Sequence, residues 1–496
     1  MAEAIAEPPD SLPDTVSAAV DGTAPVLCVD LDGTLVRTDT LAEAALGVVL
    51  ADPRVLLRLP SWLAAGRARL KAEIAARWQF DPALLPYDPD VLAWLRAEHA
   101  RGRRLVLATA ADRRVAEAVA AHLGLFEAVI ASDGATNLRG PAKAAALVAR
   151  FGAGGFAYAG NAREDLAVWH LAAEAVVVNA PPSVRTAALA LHPQARILAP
   201  PRPVGLALLR ALRPYQWVKN ALCLIPPLAA GDLHNPHVWA ATVAVAVAFC
   251  MVASGVYLLN DLADLPADRA SARKRRRPFA AGDLPALAGI VAAPLLLAAG
   301  AALGWRSGAW PALLVYLLLS AGYNLRLKEQ PLIDVFVLAA LYTVRLFGGG
   351  EASGHAVSLW LLGFSSFLFL GLALIKRVSE LQRMLAAGKR RVARRGYQAE
   401  DLGMLQMFGS ASAFASAIVL SLYVQSELPR HIYGHPAMLW ASIPLLLFWQ
   451  CRLWLSTVRG YMHDDPIIYA ARDWVSWLVA AALAVAVGLA WLPAGG

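Results

Sequence analysis

From about residue 207 to the C terminus the chain is dominated by apolar runs long enough to cross a bilayer, which restricts this half to a bundle of membrane helices. Lipid offers no hydrogen-bond partner to a bare peptide group, so each spanning segment must satisfy its backbone internally. Nine segments are expected, at about 216–232, 238–259, 284–304, 308–325, 332–350, 357–375, 404–425, 436–456 and 474–493. Before residue 207 charges alternate with apolar stretches as in a soluble domain, and 496 residues exceed one compact domain. We therefore expect a flexible tail over 1–24, a soluble domain over 25–192, a proline-rich connector over 193–206 and a membrane domain over 207–496.

Lys and Arg set the expected orientation. Arg273 to Arg277 form a basic run after the second segment, and Lys389, Arg390, Arg391, Arg394 and Arg395 follow the sixth, whereas the opposite loops offer little beyond Arg306 and Arg430. The positive-inside rule then places the soluble domain and these basic loops in the cytoplasm, in a multi-pass protein of the inner (cytoplasmic) membrane with its C terminus outside. The net charge of +8 suits anionic lipid headgroups better than nucleic acid, for which no motif is present. Cys28, Cys223, Cys250 and Cys451 show no paired spacing, so neither a zinc site nor a disulfide framework is expected. The first 24 residues contain acids and prolines and no continuous apolar core, which argues against a signal peptide.

The stretch NDLADLPADR, residues 260–269, ends the second segment and spaces Asp261, Asp264 and Asp268 by three and then four, one face of a continuous helix. Carboxylates clustered at a membrane edge repel one another unless cations lie between them, and hard oxygen ligands beside a diphosphate suit Mg²⁺. Asn260 and the run Lys274, Arg275, Arg276, Arg277 add donors for the same anion, against the alternative of a solvated helix end. Pro266 should bend the helix near Leu265. The motif, its KRxRP-like sequel and the upstream RPYQWVKN at 213–220, with Lys219 and Asn220, resemble the UbiA superfamily of intramembrane prenyltransferases over residues 207–496.

A second polar set, Tyr323, Asn324, Arg326, Lys328, Asp334, Tyr342 and Arg345, surrounds the fourth and fifth segments. Asp334, Tyr342 and Arg345 share roughly one helical face, so either they serve the reaction or Asp334 and Arg345 pair with each other. Aromatic prenyltransferases of the resembled family bring a second DxxxD motif. This chain has Leu338 four residues after Asp334. Together with Lys376, Arg377 and Glu380 in a KRxxE pattern and the HDDPIIYAARD segment at 463–473, it looks more like the decaprenyl-phosphate phosphoribosyltransferase branch. That resemblance implies transfer of 5-phosphoribose from phosphoribosyl diphosphate to a polyprenyl phosphate. Asp261, Asp264 and Asp268 would hold Mg²⁺. Asn260, Lys274, Arg275 and Arg277 would hold the diphosphate or ribose phosphate, and Lys328, Arg345, Lys376 and Arg377 the lipid phosphate. An aromatic prenyltransferase using a prenyl diphosphate is the alternative. A homo-oligomer is allowed.

In the soluble half, PVLCVDLDGTL at 25–35 runs an apolar strand into Asp30, Asp32, Gly33 and Thr34. A carboxylate at a strand end can attack phosphorus, and a second acid two residues on faces the same way and can protonate the leaving oxygen. Further strands end at Thr109 and Gly160, and Lys143 opens a helix. These segments closely resemble the haloacid dehalogenase (HAD) superfamily, which implies a Rossmann-like α/β domain, a nucleophile at Asp30, an acid at Asp32 and a Mg²⁺ site from Asp30, Asp32, Asn161 and Asp165. Many relatives carry Asp where this chain has Asn161, which leaves open a silent, regulatory domain. Residues 41–95 read as a helical cap whose Leu and Trp faces interleave with Arg54, Arg58, Arg67, Arg69 and Lys71, either ordinary cap packing or a surface dipping toward the membrane. A phosphatase joined to a phosphoribosyltransferase could remove the ribose 5-phosphate of its product.

Overall fold

A computed structural model describes residues 24–200, 203–232, 234–388, 396–462 and 465–493. The chain forms two compact units, Met1–Arg202 and Pro203–Gly496.

The first unit is built on a six-stranded parallel sheet in the order β3-β2-β1-β4-β5-β6, with β1 at Val26–Val29, β2 at Leu105–Asp112, β3 at Ala128–Ser132, β4 at Phe156–Gly160, β5 at Glu174–Val178 and β6 at Arg196–Leu198. Its strands are buried on both faces, as the near-continuous apolar runs require. Side chains alternate between two layers: Leu27, Val29, Leu105 and Leu107 pack one core, while Val26, Cys28, Val106 and Ala108 pack the other. The order doubles back around β1, so the ends of β1, β2 and β4 converge where such sheets place their chemistry.

Two expected boundaries move. The cap, comprising the helices Thr40–Ala51, Leu59–Ala64 and Arg67–Ala75 with the 3-10 turn Pro53–Leu57, has a small core of Ala44, Val48, Val55 and Ile74. The next helix, Pro89–Ala100, lies outside it, because Val91, Trp94 and Leu95 pack into the sheet's own core. The expected connector at 193–206 supplies β6, which pairs with β5 from Val176↔Arg196 to Val178↔Leu198, before the helix Val204–Leu212 begins.

The second unit is all helical. Among the described residues seven helices are long and apolar enough to span a membrane: Pro236–Ala263, Ala286–Arg306, Ile333–Ser353, Leu359–Ala386, Ala399–Gln425, Pro436–Val458 and Trp474–Trp491. The fourth expected segment forms the 16-residue helix Trp310–Leu325. The first is no regular helix: an 11-residue 3-10 segment, Pro214–Leu224, continues into Ile225–Ala230. At about 2.0 Å and 1.5 Å per residue this path is roughly 31 Å long, a bilayer core's thickness, so nine crossings remain compatible with the structure. The stretched segment runs close against the Ile333–Ser353 helix, where a Cβ on Gly349 would lie 2.0 Å from the Cys223 carbonyl oxygen.

Pro266 acts as a break. The Pro236–Ala263 helix stops at Asp264, and Pro266 occupies the first turn of a new helix, Leu265–Ala270, where its missing N–H costs nothing. The basic residues Lys389, Arg390, Arg391, Arg394 and Arg395, the first 23 residues, and His463 and Asp464 lie outside the described residues.

Candidate active sites

The membrane unit encloses a cavity of about 560 Å³ at the C-terminal ends of the Pro236–Ala263 and Leu359–Ala386 helices. Arg210 reaches it from the Val204–Leu212 helix, Arg213 and Lys219 from just before and within the Pro214–Leu224 segment, Arg273, Lys274 and Arg277 from the basic run, and Lys376 and Arg383 from the Leu359–Ala386 helix. Against these eight cations stand three acids, Asp261, Glu380 and Asp465. Such an excess in a confined space suits a polyanion.

On one side of the cavity, Arg277 Nη1 bridges Asp261 Oδ1 at 2.9 Å and Asp268 Oδ2 at 2.6 Å, and Arg213 Nη2 donates to Asp261 Oδ1 at 2.5 Å. Arg213 holds a left-handed backbone, φ 57° and ψ 58°, with its guanidinium 4.8 Å from the Tyr257 ring centroid. A non-glycine residue kept there costs about 1 kcal/mol or more, which the buried carboxylate contact offsets. Asp261 Oδ2 and Asp268 Oδ1 are buried and accept no hydrogen bond among the described residues, and Lys274 Nζ stands 3.5 Å from Asp268 Oδ1. Two such oxygens fit a hard divalent cation. Asp264, at the helix break and half-buried, does not line the cavity. The continuous face that would align three acids is interrupted there.

On the other side, Asp465 accepts from Lys219 at 2.6 Å and from Tyr342 at 3.2 Å, with Lys376 at 3.5 Å. Burial alone would raise this carboxyl, but Lys219 and Lys376 outweigh it and hold it at about 2. Asp465 sits just before the Pro466–Arg472 helix, outside the spans, and its side chain caps that helix through Ile467 N–H.

Of the residues expected to bind substrate, Lys219, Lys274, Arg277 and Lys376 line this cavity. Asn260, Arg275, Tyr323 and Lys328 do not. The other five, Asn220, Asp334, Tyr342, Arg345 and Arg377, are buried. Arg345 donates to Asn220 Oδ1 at 2.7 Å and to Leu341 O, and lies over the Tyr316 ring, while Asp334 takes another partner. Asp334 pairs instead with Arg377 at 2.5 Å and accepts from Tyr397 at 2.6 Å. Arg377 is fully buried and also pairs with Glu380, which places that carboxylate at the cavity. Arg210, Arg213, Tyr257 and Arg383 went unrecognised in the sequence; Arg213 alone lay within a quoted motif, RPYQWVKN.

In the first unit Lys143 meets Asp30 and Asp165. Lys143 Nζ donates to Asp30 Oδ1 at 2.9 Å and to Tyr158 OH at 2.6 Å. Thr109 is buried on β2, and its Oγ1 accepts from Ala111 N–H at 3.0 Å. Asp32 accepts from Thr40 N–H at 2.8 Å. Burial, with Asp39 nearby, pushes the Asp32 carboxyl up to about 7, so near neutrality it can both give and take a proton, as an acid for a leaving oxygen requires. Burial works against the Lys143 charge, but Asp30 and Asp165 outweigh it.

Asp165 departs from its expected role. Its Oδ1 accepts from Tyr158 OH at 2.9 Å and its Oδ2 from the N–H groups of Asn161 and Ala162 at 3.0 and 2.9 Å. It organises the β4 turn and orients Tyr158 and Lys143. The Asn161 side chain lies over Gly33, where a Cβ would come within 2.1 Å of Nδ2, so the motif's glycine is needed both for its φ of 73° and for this approach. Lys71 of the cap, which donates to Ala110 O at 2.5 Å and Asn137 Oδ1 at 2.8 Å, reaches the same strand end.

Comparison with known proteins agrees with both halves. The profile of the UbiA prenyltransferase family matches residues 222–465, and that of haloacid dehalogenase-like hydrolases matches residues 27–169. An uncharacterized protein of Sinorhizobium fredii is 37% identical over 469 residues, covering 93% of this chain and 90% of its own. The decaprenyl-phosphate phosphoribosyltransferase of Mycobacterium tuberculosis is 32% identical over 301 residues, 59% of this chain and 97% of that protein. A UbiA homolog from Archaeoglobus fulgidus, solved with GPP and Mg²⁺, aligns with 57% of this chain and 99% of its own at 16% identity and a TM-score of 0.44.

Proposed function

The chain belongs to the UbiA prenyltransferase family and is a multi-pass membrane enzyme that also carries a haloacid dehalogenase-like hydrolase domain; from that premise we propose that it makes a polyprenyl-phosphoryl pentose in two steps. The membrane unit transfers 5-phosphoribose from phosphoribosyl diphosphate to a polyprenyl phosphate, and the soluble unit removes the ribose 5-phosphate. The observation that carries the first step is the cavity's eight cations against three acids. Two phosphorylated substrates need that balance. An aromatic acceptor would need an apolar wall instead.

In the first step an oxygen of the lipid phosphate attacks the anomeric carbon of the ribose, and the carbon–oxygen bond to diphosphate breaks with its electron pair leaving on the diphosphate. A lipid phosphate is already an anion, so no general base is required. Arg213, Lys274 and Arg277 neutralise the departing group, while Lys219 and Lys376, oriented by Asp465, face the second anion. Mg²⁺ held by Asp261 and Asp268 would add charge neutralisation on the diphosphate. In the second step Asp30 attacks the 5-phosphate while Asp32 protonates the departing ribose oxygen. Water then cleaves the phosphoaspartate with Asp32 accepting its proton, while Lys143 and Thr109 hold the phosphoryl oxygens. Mg²⁺ at this centre would rest on Asp30 and the Asn161 amide and shield the nucleophile from the phosphate's charge.

What supports reading the soluble unit as a working phosphatase is Lys143 Nζ 2.9 Å from Asp30 just past the end of β1, with Asp32 two residues on and Thr109 on the neighbouring β2. The test is incorporation of ribose label into lipid by membranes supplied with labelled phosphoribosyl diphosphate, polyprenyl phosphate and Mg²⁺. Label in lipid that is lost in Asp261→Asn supports the transfer. Label absent from lipid, together with turnover of a prenyl diphosphate and an aromatic acid, refutes it.

A further inference from the structure

The first unit exposes six large apolar side chains among its described residues, and four of them, Leu50, Leu56, Leu57 and Leu63, fall within 14 residues of the cap. Leu57 is 84% exposed and the other three are at least half exposed. They are not the outer side of a larger core: Val55, Leu59 and Trp62 turn inward to the cap's own small cluster, and the four leucines turn away from it. A single exposed leucine needs no explanation, but four gathered at one tip do.

The charge around them is one-sided. Between Pro53 and Ala72 the sequence has five basic residues and no acid. Lys71 is turned inward to Ala110 and Asn137, and Arg69 pairs with Glu73. The other three, Arg54, Arg58 and Arg67, are exposed and form no ion pair among the described residues. The base of the cap is latched to the core through Lys71 and through Arg114 donating to Ala72 O at 3.1 Å. The tip is thus held out by its base.

We propose that this tip, residues 50–67, is a membrane-docking surface that inserts its leucines at the headgroup boundary of an anionic bilayer while Arg54, Arg58 and Arg67 contact the lipid phosphates. Apolar side chains interleaved with unpaired arginines are the composition of an interfacial anchor, and neither element alone holds a segment at a membrane. Among its described residues the same polypeptide carries seven membrane-spanning candidates, so the first unit is tethered to a bilayer. Docking would bring the site at Asp30 to phosphates borne on lipids. It does not depend on which phosphate is cleaved.

The test uses the full chain with Cys451→Ser and Cys250→Ser, Leu57→Cys carrying an environment-sensitive fluorophore, and Leu191→Cys, on the exposed side of another helix, as control. The expected result is a blue shift at position 57, absent at 191, in phosphatidylglycerol nanodiscs. It should weaken in phosphatidylcholine, in high salt and in the Arg54→Ala, Arg58→Ala, Arg67→Ala variant. Water-like emission at 57 in phosphatidylglycerol would overturn the proposal. So would a shift that appears without lipid, in amphipol, and grows with protein concentration, since that would mark an interface between copies. Hydrolysis of soluble p-nitrophenyl phosphate, followed in parallel, reports separately on the phosphatase assignment.

Discussion

At the scale of single residues, the chemistry rests on where lone oxygens and cations are left. Asp261 and Asp268 each retain one buried oxygen without a hydrogen bond, and Asp261→Asn should lower ribose transfer at least about 100-fold, the loss expected for a group that stabilises the departing charge, with protein yield unchanged. The phosphatase centre makes the opposite prediction. Restoring a carboxylate through Asn161→Asp should lower the Mg²⁺ concentration for half-maximal phosphate release, and an unchanged Mg²⁺ titration would exclude residue 161 from the metal's neighbourhood. Asp465 bears on pH. Its carboxyl is held at about 2, so the carboxylate's contribution to the ion pair is complete above the ordinary carboxylate value near 4 and is lost as pH falls through about 2. Between pH 5 and 7 the Asp465 carboxyl should therefore add no limb to the transfer profile that vanishes in Asp465→Asn.

At the scale of elements, two packing details hold the transferase cavity in shape. The Pro214–Leu224 segment lies against Gly349 so closely that Gly349→Ala would drive a methyl group into the Cys223 carbonyl. The expected cost is on the order of 3 kcal/mol, the upper end for overpacking, measurable as a lower thermal midpoint in detergent. Asp334→Asn should cost a similar amount, about 3 kcal/mol, by leaving the buried Arg377 short of a counter-charge, while sparing residues that touch substrate. Much of this level was legible in the sequence. The strand ends at Asp30, Thr109 and Gly160 follow from apolar runs stopped by motif residues, and the long spans follow from hydropathy. The extended 3-10 entry and the break at Asp264 were not, because hydropathy counts apolar residues without fixing the rise per residue, and spacing rules presume an unbroken helix. For the same reason Asp334, Tyr342 and Arg345 shared a predicted face yet serve separate buried contacts. Partners such as Tyr397 and Asn220 come from distant segments, and spacing along one helix says nothing of them.

At the scale of the whole molecule, the two domains sit on one chain, and a relative aligned over 93% of that chain spans both units. Covalent joining keeps a phosphatase at high effective concentration beside a membrane-borne product, which favours the second step over loss of the intermediate to other enzymes. Lipid product from the intact chain should therefore carry little 5-phosphate at any time during the reaction. The most direct measurement is mass spectrometry of the lipid product made from phosphoribosyl diphosphate and polyprenyl phosphate by the wild-type protein and by Asp30→Asn. A two-step enzyme gives polyprenyl-phosphoryl ribose from the wild type and the species heavier by one phosphate from Asp30→Asn. The same phosphorylated lipid from both proteins would contradict the coupling, and no ribosylated lipid from either would contradict the transfer itself.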